Sequence, residues 1–412
     1  VQTQLAAWIR DTATGHEADR ILRACVHCGF CGATCPTYQL LGDELDSPRG
    51  RIYQIKEVLE GRAPTRTTQL HLDRCLTCRS CETTCPSGVE YGRLLEIGRE
   101  VVDERVARPL MDRIKRLLVR EVVSRRPWFA LLAGIGRRLR PILPIALKRK
   151  LPYPRDVGGW PRATHPRHVL FLTNCAQDAL LPTVDRAAAR VLDRLGLSVI
   201  IEPSAGCCGA LRAHLSDLEG ARAAARRNID AWWPHLERGI EAIVMTASGC
   251  GVQVKDYARL LAADGDYRAR AARVSALTQD LGEWLARHEG WPSLRPQGLL
   301  PVRLAFQAPC TLQHGQKLRG VVEPLLESLG GVLVPVRDAH LCCGSAGSYS
   351  ILQPVIAGQL RERKLAALLE GDPQLILSAN VGCQSHLEAG APVPVRHWIE
   401  WVDQRLAEGN AA

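Results

Sequence analysis

Two stretches, ILRACVHCGFCGATCPTYQL and HLDRCLTCRSCETTCPSGVE, set four cysteines at intervals of three, three and four residues ahead of a proline. Cys25, Cys28, Cys31 and Cys35 close on Pro36; Cys75, Cys78, Cys81 and Cys85 close on Pro86. A loop with a thiolate at every third residue curls round one face of an iron–sulfur cube while its backbone N–H groups point at the sulfides. The fourth cysteine lies past the loop, where proline turns the chain away, so it is placed to serve the other cluster. The spacing therefore predicts two 4Fe–4S clusters with exchanged ligands: Cys25, Cys28, Cys31 and Cys85 at one, and Cys75, Cys78, Cys81 and Cys35 at the other. Zinc held by four thiolates is the competing reading, but zinc sites favour separated C-x2-C pairs over this doubled run. With a fourth thiolate available, His27 is expected to be a local hydrogen-bond donor or a surface residue. Arg74, Arg79 and Lys56 are expected to offset cluster charge.

Sixteen cysteines in 412 residues need a compartment that keeps them reduced. The segment VQTQLAAWIRDTATGHEADR is polar and has no signal-peptide core, so a cytoplasmic metal protein is expected. Between the two runs, SPRGRIYQIKEVLEG reads as a helix: Ser47 and Pro48 at its start, Ile52, Ile55, Val58 and Leu59 as its apolar stripe, Gly61 at its end.

The formal charge of +10 is concentrated in one segment, since Arg113 to Lys150 holds twelve Lys and Arg against one acid, Glu121. Such a field attracts nucleic acid, an anionic membrane surface or an acidic partner. Arginines and prolines break its apolar runs, leaving no uninterrupted transmembrane span. Two readings stay open: a surface-lying amphipathic segment anchored by Trp128 and Phe129, or a basic linker packed on a partner or on the body of this protein. Nucleic acid is not expected, because the segment is proline-broken and lacks interleaved stacking aromatics.

From about residue 165 the texture becomes α/β. HVLFLTNC, a helical pattern, LSVIIEPSAGCCGA and GIEAIVMTASGC alternate strand and helix, with cysteines where the strands end. RLAFQAPC, the double cysteine of HLCCGSAG, and QLILSANVGC repeat that order. Cys175, Cys207 and Cys208 recur at Cys310, Cys342 and Cys343 with an offset of 135, and Cys250 recurs at Cys383 with an offset of 133. This is an internal duplication. Adjacent cysteines seldom bond to each other, so each quartet reads as ligands for a further cluster or metal, separately or at one shared site. His214, His314, His340 and His386 lie near these cysteines, and only His314 and His340 flank one site, as ligand, proton carrier or loop residue. No dinucleotide fingerprint follows a strand and no Walker loop occurs, so a flavin or similar group must come from another subunit.

Over essentially the whole chain, these motifs, together with NIDAWWP, CTLQHGQKL and SANVGCQSHL, resemble the iron–sulfur subunit family of glycolate oxidase. The resemblance implies a mainly helical, ferredoxin-like two-cluster domain followed by two duplicated α/β cysteine-rich domains, an α+β and α/β chain. Expected boundaries are 1–105 for the cluster domain, 106–164 for a basic amphipathic linker, 165–262 and 301–412 for the cysteine-rich copies, and 263–300 for their connection. It further implies an electron-transfer subunit with no substrate oxidation of its own, peripheral on the inner face of the cytoplasmic membrane. FAD would sit in partner subunits that oxidise glycolate or a related 2-hydroxy acid, with quinone as acceptor. Sibling readings put glycerol 3-phosphate or lactate at the flavin, or disulfide-reductase-like chemistry at the cysteine-rich domains. Wider relatives carry a fifth cysteine where Ala247 and Asn380 stand here, which argues against a five-cysteine noncubane cluster and leaves four-thiolate sites, or one occupied and one structural copy.

Overall fold

The computed structural model describes residues 2–142, 158–172, 175–296 and 298–408. The end of the basic segment, 143–157, and Thr173 and Asn174 of the first strand motif lie outside them. The N-terminal unit is made of short helices around the two cysteine loops. Its central helix, Pro48–Leu59, begins as the sequence predicts, with the Ser47 hydroxyl accepting from the Gly50 N–H and proline in the first turn. Ile52, Ile55, Val58 and Leu59 are buried, and they face the helix Tyr91–Arg105. A Cβ on Gly98 would sit 2.5 Å from Ile55 Cγ1, so glycine sets how closely these helices approach.

Two four-stranded parallel sheets follow. The first contains β1 (Arg167–Phe171), β2 (Leu197–Ile201), β3 (Ile243–Met245) and β4 (Thr278–Asp280) in the order β2-β1-β3-β4. The second repeats it as β6-β5-β7-β8 with β5 (Val302–Gln307), β6 (Gly331–Leu333), β7 (Leu375–Ser378) and β8 (Val395–His397). In this winding the chain leaves β1 in one direction for β2 and returns on its other side for β3, so loops at the C-terminal ends of the strands converge on a crevice. Every cysteine of the two quartets lies in such a loop or at the start of the helix after it. Residues 263–300, expected to be a connection, instead carry β4, paired to β3, and the helices Arg268–Leu277 and Leu281–Arg287. The strand TQD is too short and too polar to announce itself.

One apolar core runs through both sheets and includes Val169, Phe171, Leu304, Leu377 and Trp398. Across it the helix Thr183–Arg194 packs on Trp398–Glu408, locked by Arg190 on Asp403 at 2.6 Å. Within 106–164 the described residues form two helices, Leu110–Ser124 and Arg126–Arg138; Pro127, which interrupts the apolar run, lies in the first turn of the second. Both pack on the helix Cys175–Leu180 of the first cysteine-rich unit. No helix among the described residues is long and apolar enough to cross a membrane.

Candidate metal centres

Two adjoining cavities open in the helical unit. Cys25, Cys28, Cys31 and Cys85 line one; Cys35, Cys75, Cys78 and Cys81 line the other; Cys81, Tyr91 and Pro48 reach both. Each cavity thus gathers three cysteines of one run and the closing cysteine of the other. The loops that carry them share one backbone device. His27 and Gly29 adopt φ of 57° and 87°, and Thr77 and Arg79 follow fifty residues later with 53° and 59°. Left-handed residues alternating with right-handed ones turn successive N–H groups inward, a concavity suited to an anionic cluster. The Thr77 N–H already donates to Cys75 Sγ at 3.4 Å. Burial pushes the Cys31 thiol up to about 11 and raises Cys25, Cys78 and Cys81 as well, so these thiols keep their protons until a cation displaces them. Soft thiolate donors, inward N–H groups and apolar walls fit an iron–sulfur cluster in each cavity.

Beneath the second cavity lies a charge node that the sequence did not reveal. Asp46, fully buried, accepts from Arg51 at 3.2 Å, from Arg74 at 2.9 Å and from His71 Nδ1 at 3.0 Å. Arg51 also donates to the His71 carbonyl at 2.8 Å and to Thr37 at 3.2 Å, with Cys35 Sγ 4.0 Å from its Nη1. A buried carboxylate answered by two guanidinium groups is an ion-pair node, and Asp43 and His71 bring their side chains within 4.8 Å of it. The expected charge-offsetting roles therefore divide. Arg79 lines the second cavity, Arg74 serves Asp46, and Lys56 turns to Glu60 at 2.6 Å. His27 rests edge-on against the Tyr53 ring, 6.4 Å between centroids.

Each α/β unit gathers its own quartet. In the first, Cys175 Sγ lies 3.7 Å from Cys207 Sγ, and Cys208 bridges Cys207 and Cys250. In the second, Cys310 Sγ lies 3.9 Å from Cys342 Sγ, and Cys343 bridges Cys342 and Cys383. The glycine after each pair, Gly209 or Gly344, has φ of 90° and presses on the next helix, where a Cβ would meet Ala221 O at 3.1 Å or Ala357 O at 2.7 Å. That trailing glycine is what the turn requires, which is why Leu341 can replace the leading one.

The second quartet adjoins the second cavity. Leu76, Cys310, Cys342, Tyr349 and Ile356 form one buried cluster, with Cys78 packed against it. Tyr349 donates to the Arg74 carbonyl at 3.0 Å. His314 accepts from the Thr83 hydroxyl at Nδ1 (2.8 Å) and donates from Nε2 to the His340 carbonyl (2.8 Å), so it ties the two units together. Burial holds His314 down to about 4 and therefore neutral. His386 is spent on the Ala357 carbonyl, and His214, depressed to about 4 by burial with Arg99 and Arg79 nearby, faces the cluster unit.

A family model described as a 4Fe-4S dicluster domain matches residues 21–89, and one described as a cysteine-rich domain matches 169–255 and again 304–388. The glycolate oxidase iron-sulfur subunit of Escherichia coli is 55% identical over 408 residues, 98% of this chain and 99% of that protein. The chain belongs to the glycolate oxidase iron–sulfur subunit family. A probable member from Bacillus subtilis is 29% identical over 89% of this chain. A lactate utilization protein A from Exiguobacterium is 24% identical over 59% of it. Family membership makes the chain the electron-transfer component of an oxidoreductase complex of the glycolate oxidase type, with two 4Fe–4S clusters in its helical unit. Three residues before Cys383, Asn380 caps a helix by accepting from the Gly382 N–H at 2.8 Å, and Ala247, three before Cys250, is buried.

Proposed function

We propose that this chain carries electrons away from FAD held by partner subunits, where glycolate or a related 2-hydroxy acid becomes the 2-oxo acid, toward a quinone-type acceptor at the inner membrane surface. The observation that supports this reading most directly is the crossed lining of the two cavities. Cys25, Cys28, Cys31 and Cys85 are the ligands of one cluster, and Cys75, Cys78, Cys81 and Cys35 those of the other. Bound clusters supply reversible one-electron chemistry. What the chain supplies is placement: a shared wall of Cys81 and Tyr91 keeps the centres close, and the Leu76–Cys78 loop delivers the second centre to Cys310 and Cys342. Tyr91 donates to Cys75 Sγ at 3.5 Å, and Arg51 brings positive charge beside Cys35, both of which favour the reduced state there. The quartets Cys175, Cys207, Cys208, Cys250 and Cys310, Cys342, Cys343, Cys383 are further cluster or metal sites, and the second is the one in contact with the ferredoxin-like pair. We place the units over 1–105, 165–287 and 301–412, with the helices Leu110–Ser124 and Arg126–Arg138 attached to the first cysteine-rich copy.

The test is anaerobic purification of the chain with its partners, followed by iron and sulfide counts and electron paramagnetic resonance of the reduced protein. About eight iron atoms per chain mean that only the helical unit is loaded; about twelve or sixteen load one or both quartets. Zinc alone, or no iron, ends the relay reading. In the variant Cys35→Ser the signal of the centre held by Cys75, Cys78 and Cys81 should collapse first; selective loss of the centre beside Cys25 refutes the exchange. The isolated chain should not oxidise glycolate, and turnover without flavin subunits would move the chemistry to the cysteine-rich copies.

A further inference from the structure

The helices Leu110–Ser124 and Arg126–Arg138 are mounted with their polar sides toward the protein. Arg126 pairs with Asp178 at 2.7 Å, Arg137 donates to the carbonyls of Ala179 and Leu180 at 2.7 and 3.0 Å, and Glu121 meets Arg212 at 3.0 Å. Arg116 reaches Asp73 of the cluster unit at 2.9 Å. The apolar sides face out. On the first helix Leu110, Met111, Ile114, Leu117 and Leu118 are all exposed, a stripe at helical spacing. On the second the stripe is Trp128, Leu131, Leu132 and Ile135, continued by Leu139 just beyond its end, all exposed. Soluble helices bury such stripes, so a pair that turns both outward is built to be covered.

Charge selects the occupant. Asp112 and Glu121 are the only acids on the two helices, and both are tied to arginines: Asp112 to Arg66, Arg108 and Arg116, Glu121 to Arg120, Arg125 and Arg212. Exposed on these helices are Arg113, Lys115 and Arg138, and Arg125 is exposed between them. An apolar face with a tryptophan, edged by cations whose acidic neighbours are already neutralised, matches the boundary between acyl chains and anionic headgroups. A flavin subunit offering an apolar patch would need no such edge.

We propose that this helical pair lies in the headgroup region of an anionic bilayer and anchors the chain peripherally. The inference rests on the reading that electrons leave toward a membrane acceptor, and it gives that reading a surface. The helix Cys175–Leu180, which the pair grips, starts at a cysteine of the first quartet, so the anchor holds that quartet's side of the molecule toward the lipid.

The test uses the full chain, purified anaerobically with its iron, and vesicles of phosphatidylcholine with or without phosphatidylglycerol. Co-sedimentation should be about tenfold or more stronger on anionic vesicles and should weaken at high salt. It should be lost in the double variant Leu118→Glu, Leu132→Glu, whose iron content and circular dichroism stay those of the wild type because both side chains point to solvent. Absence of vesicle binding, or equal binding by the variant, overturns the proposal. So does a variant that loses its flavin subunits rather than vesicles, since the face then belongs to a protein. Reduction of a water-soluble quinone by the complex is measured separately: if it persists without vesicle binding, the anchor is wrong and the relay stands, and if it is absent while vesicles bind, the reverse holds.

Discussion

The two cysteine-rich copies share a strand order, a cysteine pattern and a left-handed glycine, yet their quartets sit in different surroundings. Cys310, Cys342, Cys343 and Cys383 are all buried and closed over by the Leu76–Cys78 loop, whereas Cys175 and Cys250 stay partly exposed. The supports differ too. In the first copy Asn228 and Tyr257 hold the paired cysteines, Asn228 donating to the Cys207 carbonyl at 3.2 Å and Tyr257 to the Cys208 carbonyl at 2.9 Å. In the second the buried Lys364 ammonium holds the Asp338 and Ala339 carbonyls just before the pair, at 3.1 and 3.0 Å. Duplication thus kept the cysteine turn and changed its surroundings, so that one quartet packs against the helical unit while two cysteines of the other stay partly exposed.

The sharpest way to break this comparison is to remove one thiol from each copy. Replacing Cys343 by Ser should lower quinone reduction by the complex at least about a hundredfold and alter the relaxation of the neighbouring centre's paramagnetic signal. Cys208→Ser should leave that relaxation unchanged; equal perturbation by both would erase the distinction between the quartets. Next come the glycines. Gly344→Ala forces a Cβ to 2.7 Å from a helix carbonyl at positive φ and should cost about 3 kcal/mol in urea unfolding, whereas Gly209→Ala, with 3.1 Å to its carbonyl, should cost about 1–2 kcal/mol. An inverted order would mean that the second loop relaxes more easily than its packing implies.

A pH titration separates the copies further. His314 is neutral in the fold and its Nδ1 accepts from Thr83, with Arg319 Nη2 at 3.2 Å as a second donor. Its folded pKa, about 4, lies below the ordinary histidine value, so the unfolded chain binds the extra proton and stability falls as pH drops from about 6.5 toward 4. His314→Asn should flatten that part of the slope, and an unchanged slope would assign it to other buried histidines such as His397. The smallest effects belong to the tyrosine hydroxyls. Tyr257→Phe should cost about 1–2 kcal/mol, because Cys208 O and Asn228 are buried; Tyr349→Phe should cost about 1 kcal/mol or less and act on the contact between units.

Much of this arrangement is written locally. The intervals within CVHCGFCGATCP and CLTCRSCETTCP fix which cysteines share a loop, and proline after the fourth sends it elsewhere, so the crossed lining is readable. Gly209 and Gly344 likewise announce their turns. Contacts that join distant positions are silent. Asp46, Arg51, His71 and Arg74 carry no spacing that distinguishes a buried node from solvated charges, and nothing in Cys78 says that Cys310 will lie beside it. For the basic segment the sequence left an amphipathic surface helix and a packed linker both open, because which side meets the body depends on where Asp178 and Arg212 emerge in a distant unit.

The crossed cavities also set a rule for assembly. As the chain is synthesised, Cys25, Cys28 and Cys31 emerge long before Cys85, and Cys35 precedes its partners at Cys75 by forty residues. Neither half can close a four-thiolate site alone, so a truncated or half-translated chain has no complete nest in which to hold an oxygen-sensitive cluster. With the proposed ligand sets, maturation is expected to be all-or-none, the second loop completing both centres in one event and joining the two halves of the unit.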